Sequence, residues 1–397
     1  MINFFKHSVF PAGFLIASIM GAGMFALPFV FQRSGLVPAI LYLGFFGIIA
    51  ALIHLLYADI VLRTQETRLQ FPGYIRYYLG TTAGSFSRVL VFVTLLFTLT
   101  AYLILSASFL HIIAPTLPPL LAMIIFWIFA TLTIFINIKQ TALFDTITTT
   151  ITLAAIGAVF LYWGSYVPFN AAAFPVLDPR NVLIPFGPVL FSFLGFSAIP
   201  ALVAYVRKES VPFMLMKKAI VVGSLIPAFF YFLFVVSVWG MSPSVSPDAV
   251  SGLMQETPFA ILLTLSILGI ATLWDSYSAI GRDMNKILEY DWNRSSGVAF
   301  TIVAAAPFIL YLLGFQDFIG IISAVGGILF ATWGILIILA WKKALRVSVP
   351  SVKFSGIYVP DHVFSVINDI PSFIINILLL IFAGGLIYEA LHLTSLI

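Results

Sequence analysis

Cysteine is absent from the 397 residues, and charged side chains make up only 9% of them. The first absence removes disulfide frameworks, thiolate nucleophiles and cysteine-ligated metals, and leaves the redox compartment unread. The second excludes an ordinary soluble domain, in which about a quarter of the residues are charged. A His-Glu-x-x-His motif, a glycine-rich phosphate loop and a polar segment long enough for a soluble active site are missing too. Neither an enzyme nor an ATP-driven pump is therefore expected. The formal charge of +4 comes from Lys and Arg scattered between apolar runs, not gathered into a stripe. That spread argues against nucleic acid as a partner.

What the chain has is hydrophobicity: 61% apolar residues, 16% aromatic ones and forty phenylalanines. Apolar runs bounded by charges or Pro/Gly/Asn turns predict spans at about 8–31, 36–62, 87–111, 119–137, 146–167, 182–206, 218–240, 258–281, 297–314, 318–341 and 371–391. The chain thus reads as an all-α integral membrane protein of eleven transmembrane helices, multi-pass in a plasma or inner cell membrane, with lipid around it. The first apolar run is too long for a signal peptide and is taken as a retained span. A cytoplasmic N-terminus puts 17 of the 19 Lys and Arg residues inside, leaving Arg33 and Arg180 outside. So uneven a split supports both the count and the orientation, and it places the C-terminus outside. The inner stretches Arg63 to Arg88 and Trp341 to Asp369 have room for an interfacial helix. The outer stretch Gly240 to Thr257 has the composition of a lid.

The first span carries Ser18-Ile19-Met20-Gly21-Ala22-Gly23, with Pro28 beyond. Each glycine weakens a helix by about 1 kcal/mol and proline removes an internal hydrogen bond, so the cluster can open the backbone at membrane depth. The sixth span carries a similar interruption, Gly187-Pro188 followed by Phe191-Ser192-Phe193-Leu194-Gly195-Phe196 and Pro200. Interrupted helices at matching places in two halves point to a transporter with a substrate site where the breaks meet. The competing reading, that Gly21 and Gly23 only allow close helix packing, is weakened by the pairing.

At Gly21-Ala22-Gly23-Met24-Phe25-Ala26-Leu27-Pro28 the sequence resembles the amino acid/auxin permease family, including the bacterial aromatic amino acid permeases, within the amino acid-polyamine-organocation superfamily. Weaker likeness runs through Phe71-Pro72-Gly73-Tyr74, Tyr78-Leu79-Gly80 and Asp275-Ser276-Tyr277 to Asp283, Leu288 and Asp291. The resemblance implies the leucine-transporter fold. That fold is a five-plus-five inverted repeat, here about 8–167 and 182–341, with an extra helix at about 371–391, all in one transporter domain. It also implies ion-coupled symport of neutral amino acids, aromatic or branched. A non-transporting amino acid sensor or a channel on the same fold is the alternative. A monomer is expected.

For an amino acid, half-helix amides meet the carboxylate and half-helix carbonyls meet the ammonium. Ala22 and Gly23 would offer amides and Gly21 close approach. Ile19 and Met20 would offer carbonyls, with Ser18 a weaker contributor. Phe191, Ser192, Gly195 and Phe196 would line the side-chain end. By analogy with the fold, a coupling ion, sodium or a proton, would sit between carbonyls of Ala17 and Met20 and the eighth-span residues Asp275, Ser276 and Ser278. Asp275 is a candidate because an ionisable group at membrane depth is functional by default; pairing with Arg282 is the competing account. No other metal or cofactor is expected. His54 is a candidate proton relay.

Overall fold

The computed structural model describes residues 5–64, 69–135, 141–166, 175–242, 244–254, 257–346, 352–354, 357–359 and 370–395. Arg68 and Lys139, counted above among the inner Lys and Arg residues, lie outside them. Seven described helices are long and apolar enough to cross a membrane, and Lys6–Ile19 with Ala22–Ser34 forms a further pair bent by 50°. Pro119–Ile134 and Ser296–Leu312 are shorter apolar helices, and Phe186–Ser192 with Ala198–Lys208 forms a split one. In chain order these give spans 1 to 11. Leu41, Leu161 and Leu380 are 63%, 68% and 71% exposed. A flank of that kind suits hydrocarbon and not water.

The long spans are Leu36–Arg63 (span 2), Thr81–Ile113 (span 3), Thr141–Tyr166 (span 5), Phe213–Met241 (span 7), Phe259–Lys286 (span 8) and Ser372–Ser395 (span 11). Span 3 starts six residues before its expected edge, because Thr81 to Gly84 continue the helix beyond the apolar run. Span 10 runs from Phe318 to Ala344 and is wound as a π-turn over Val325–Phe330. The face bearing the N-terminus, Arg207 and Lys342 is called inner below, and the opposite face outer.

Two inner stretches differ from each other. Phe71–Leu79 is a helix, with Pro72 in its first turn, where no amide hydrogen is needed, and Gly80 at φ 93° ending it. In the other stretch the described residues form an antiparallel hairpin instead of the interfacial helix anticipated, Val352–Phe354 pairing with Ile357–Val359. β-Branched and aromatic residues favour that choice. The outer stretch after span 7 is packed rather than open. Asp248 Oδ1 accepts hydrogen bonds from the Ser246 and Ser251 hydroxyls and from the Val250 and Ser251 amides, while Val245, Val250 and Leu253 are buried.

At the outer end of span 6, glycines of spans 6 and 10 meet each other and Glu389 of span 11. A Cβ on Gly187 or on Gly327 would collide with the Glu389 side chain of span 11, and one on Gly326 would collide with the Gly187 carbonyl. The outer half of span 6 is therefore locked against the π-turn of span 10 at backbone distance. This contact fixes where the second break begins.

Candidate substrate site

Span 1 stops at Ile19, where Met20 turns out of the helix at φ −78°, ψ 78° and Gly21 is extended. The chain resumes as a tight turn over Ala22–Ala26 whose first closing bond is Met24 N–H to the Gly21 carbonyl, 3.5 Å. The Ala22 and Gly23 amides precede that bond and have no intrahelical acceptor. Proline at the second position of Leu27–Ser34 then starts the outer half-helix without wasting a donor.

Span 6 unwinds between Ser192 and Ala198. Gly23 is the contact point of the two breaks: a Cβ there would lie 2.6 Å from Ser192 Oγ, 2.8 Å from Ser192 Cα and 2.9 Å from Phe191 Cδ1. The breaks are also joined by a side chain. Tyr231 of span 7, fully buried, directs its hydroxyl to the Ile19 carbonyl at 3.0 Å and to the Ser192 carbonyl at 2.8 Å.

Beneath this junction lies a cavity of about 270 Å³, near the lower end of small-molecule sites. Of the expected residues it is lined by Ala17, Ser18, Ile19, Gly21, Gly23, Phe191, Phe196, Asp275 and Ser276. Met20, Ala22, Ser192, Gly195 and Ser278 are not in its wall. The Ser192 hydroxyl is turned to the Pro188 carbonyl at 2.7 Å. Ser278 faces span 4, its hydroxyl 2.7 Å from that of Thr133, which leaves it on the far side of span 8 from Ser276. The Ile19 carbonyl, read as a partner for a substrate ammonium, already accepts from the Gly21 amide at 2.9 Å and from Tyr231.

The sequence reading missed much of the lining, and three of the missed residues bear on substrate contact. The Tyr102 hydroxyl of span 3 and the Ser276 hydroxyl of span 8 both face Gly21, each oxygen 3.3 Å from where a Gly21 Cβ would be. Phe330 and Trp333 of span 10 complete an aromatic wall. Phe191 and Phe330 have ring centroids 6.0 Å apart, and Trp333 stacks on Phe196 at 5.9 Å and on Phe71 at 4.5 Å. A signal existed for the span 10 pair: Gly326-Gly327, one turn earlier, marks where that helix widens into a π-turn. Tyr102 had no comparable marker.

The cavity opens inward. Its mouth is lined by Ala201, Arg282, Asp283 and Lys286 at the inner ends of spans 6 and 8. The outer side is shut by Phe25, packed edge-on against Phe109 at 4.7 Å and Phe234 at 5.7 Å, and by Trp239, which donates to the Pro28 carbonyl at 2.7 Å.

A pocket enclosed at one membrane face and open at the other, built on two unwound helices, defines a membrane transporter. The tryptophan/tyrosine permease family profile matches residues 5–254, and the chain belongs to that family. It is an aromatic amino acid transporter. Among solved structures, that of MhsT in complex with L-phenylalanine is similar at a TM-score of 0.69, with 15% identity over 94% of this chain and 98% of that one. An Eremococcus coleocola manganese transporter in complex with an aromatic bis-isothiourea substituted compound is similar at a TM-score of 0.57, with 12% identity over 98% of this chain and 87% of that one. These likenesses establish the leucine-transporter fold. No curated protein matches the chain.

Proposed function

We propose that the chain is an ion-coupled symporter of aromatic amino acids that works by alternating access. It belongs to the amino acid-polyamine-organocation superfamily, lies in the cell membrane and has a cytoplasmic N-terminus and an outer C-terminus. Residues about 8–167 and 182–341 act as the two inverted halves. The observation that carries this reading is the junction itself, where the start of a half-helix, two hydroxyls and an aromatic wall converge on one cavity. The 17-to-2 distribution of Lys and Arg supports the orientation.

The Ala22 and Gly23 amides lie at the start of a half-helix and suit a carboxylate. Tyr102 and Ser276, beside Gly21, supply hydroxyl hydrogens to the same group. Phe191, Phe196, Phe330 and Trp333 hold the ring, and Ser18 and Ala17 face the polar end from below. Tyr102→Phe is expected to raise KM about tenfold with the maximal rate little changed, because a hydrogen bond to a charged group contributes about 1.5–3 kcal/mol. Uptake kinetics of the purified variant in liposomes check this.

Ala17, Asp275 and Ser276 form the ion-linked end, with oxygen donors suited to sodium and a carboxyl able to carry a proton instead. Asp275→Asn is expected to abolish gradient-driven accumulation while leaving substrate choice intact. Unchanged dependence on both sodium and pH would reduce Asp275 to a structural residue.

The deciding experiment is a panel of amino acids in proteoliposomes under separately imposed sodium and proton gradients. Saturable counterflow of tryptophan, tyrosine or phenylalanine, with accumulation under one gradient, is the expected result. Binding without counterflow would make the protein a sensor, and flux that never saturates would make it a channel.

A further inference from the structure

Directly behind the cavity wall, span 2 carries a histidine at membrane depth that the site described above does not use. His54 is fully buried, nine residues before the inner end of its helix. Its Nε2 receives the Gly195 amide hydrogen at 3.2 Å. Its Nδ1 lies 2.9 Å from Ser224 Oγ of span 7, and that hydroxyl lies 2.8 Å from the Ile220 carbonyl.

These bonds fix the tautomer. A backbone amide only donates, so Nε2 is the bare nitrogen and the ring proton sits on Nδ1. The Nδ1 hydrogen is donated to Ser224 Oγ, whose own hydrogen goes to Ile220. His54 is therefore neutral, and every polar atom in the chain has one role. Gly195 is the middle of the second break, between Leu194 and Phe196, both in the cavity wall. Phe196 also packs edge-on against the imidazole, centroids 5.3 Å apart. A side chain on Gly195 would meet Ile19 and Leu15 at 2.8 and 2.9 Å, so this stretch also rests on the end of the first half-helix.

We infer that His54 is a proton-binding site that controls the span 6 break: a proton taken up at Nε2 turns the acceptor into a donor and releases the Gly195 amide. Two N–H groups then face each other at one hydrogen-bond distance, and the unwound segment must rotate to offer a carbonyl instead. The inward-open arrangement described here is the unprotonated one. Protonation loosens it and speeds passage to the opposite state, whichever ion drives accumulation through Asp275.

The titratable and charged groups on the elements packed against His54 have places elsewhere. On its own helix Asp59 accepts from Arg63 at 3.0 Å and from Trp341 at 2.8 Å, and Tyr57 packs edge-on against Phe71 and Tyr74. From span 6, Arg207 donates to the Val61 and Leu62 carbonyls, and the Tyr205 hydroxyl donates to the Lys6 carbonyl; Lys208 closes the inner end of that helix. Span 7 contributes Tyr231, engaged at the breaks, and Lys217 and Lys218 near its inner end. Span 10 contributes Lys342 and Lys343 at its inner end, and span 1 contributes Arg33 near its outer end. The imidazole's hydrogen-bond and ring partners among the described residues are Ser224, the Gly195 amide and the Phe196 ring.

The inference rests on the transporter reading for its consequence but not for its primary observable. Hydrogen–deuterium exchange of the purified full chain, corrected for intrinsic rates, reads the Gly195 amide directly between about pH 4 and 8, a window that reaches below the free-histidine range because both hydrogen bonds hold the neutral ring. The wild type is expected to lose protection there by at least tenfold as pH falls. His54→Gln, whose side-chain oxygen still accepts from Gly195 but takes no proton, is expected to keep it. Exchange of L-tryptophan across liposomes, with equal pH on both sides, should quicken on acidification in the wild type and stay at the slow rate in His54→Gln. Ser224→Ala removes the acceptor that steadies the doubly protonated ring, so its curve should move to lower pH; it also serves if the glutamine variant does not fold. A Gly195 amide whose protection ignores pH in the wild type, or a His54→Gln curve that follows the wild type, overturns the inference. Loss of amide protection in a protein that exchanges no amino acid would keep the proton site and discard the transporter reading.

Discussion

Gly23→Val is expected to abolish uptake, by roughly a hundredfold or more, in protein that still reaches the membrane. The reason is the junction of the breaks. A Cβ at this position falls 2.8 Å from the Ser192 backbone, closer than any relaxed contact, and 2.9 Å from Phe191. Backbone cannot swing aside as a side-chain tip does, so the breaks must part. Overpacking of this kind costs about 1–3 kcal/mol, and valine adds two methyl groups and a stiff χ1. About 2.7 kcal/mol at the rate-limiting step is a hundredfold. Parting the breaks also carries the Ala22 and Gly23 amides away from the cavity. Gly21→Ala provides the contrast. Its new Cβ would meet only the Tyr102 and Ser276 hydroxyls, each at 3.3 Å, and both can turn. Its loss should stay within about tenfold. Initial uptake rates, normalised to folded protein, compare the two; normal affinity in Gly23→Val would move the substrate site away from this junction.

The position of each break was legible because membrane burial leaves few ways to interrupt a helix. Gly21, Gly23 and Pro28, and later Gly187, Pro188 and Gly195, stand out against uniformly apolar runs. The number of spans was read from run length together with the split of Lys and Arg between the faces. What closes around the breaks was not legible, since a helix that is apolar all round announces no face. Ser276 and Ser278 differ by two positions, roughly 200° around a helix, and only packing decides that Ser276 meets the cavity while Ser278 meets Thr133. The freed Ile19 carbonyl had to be satisfied by something. That its partners are Gly21 and a tyrosine more than two hundred residues away is a tertiary fact. Tyr102 was hidden for the same reason, as one of fifteen tyrosines with no local pattern around it. His54 was visible as an intramembrane histidine, yet its link to Gly195 was not.

Tyr231→Phe should slow transport about ten- to a hundredfold while changing KM little. The hydroxyl has one hydrogen and two carbonyl neighbours, Ile19 from the first break and Ser192 from the second. It is a bridge between the two elements that alternating access requires to move, and it does not line the cavity. Phenylalanine keeps the ring and its edge-on contact with Phe193 at 5.5 Å, so packing is preserved and only the oxygen is lost. The Ile19 carbonyl retains the Gly21 amide. Ser192 loses the side-chain donor, and a buried carbonyl left short costs about 1–3 kcal/mol. Because the bridge keeps one carbonyl paired while the other leaves, its loss falls on the crossing between the two arrangements and not on bound substrate, so it appears in the rate at which the two faces exchange. Counterflow kinetics separate the terms. A raised KM at normal maximal rate would put the tyrosine in the binding site, whereas unaltered kinetics would mean that the breaks move without this bridge. A shared hydrogen suits a part that must change partners: either carbonyl can leave while the other keeps the donor, so the breaks can separate without stranding the hydroxyl in an apolar interior.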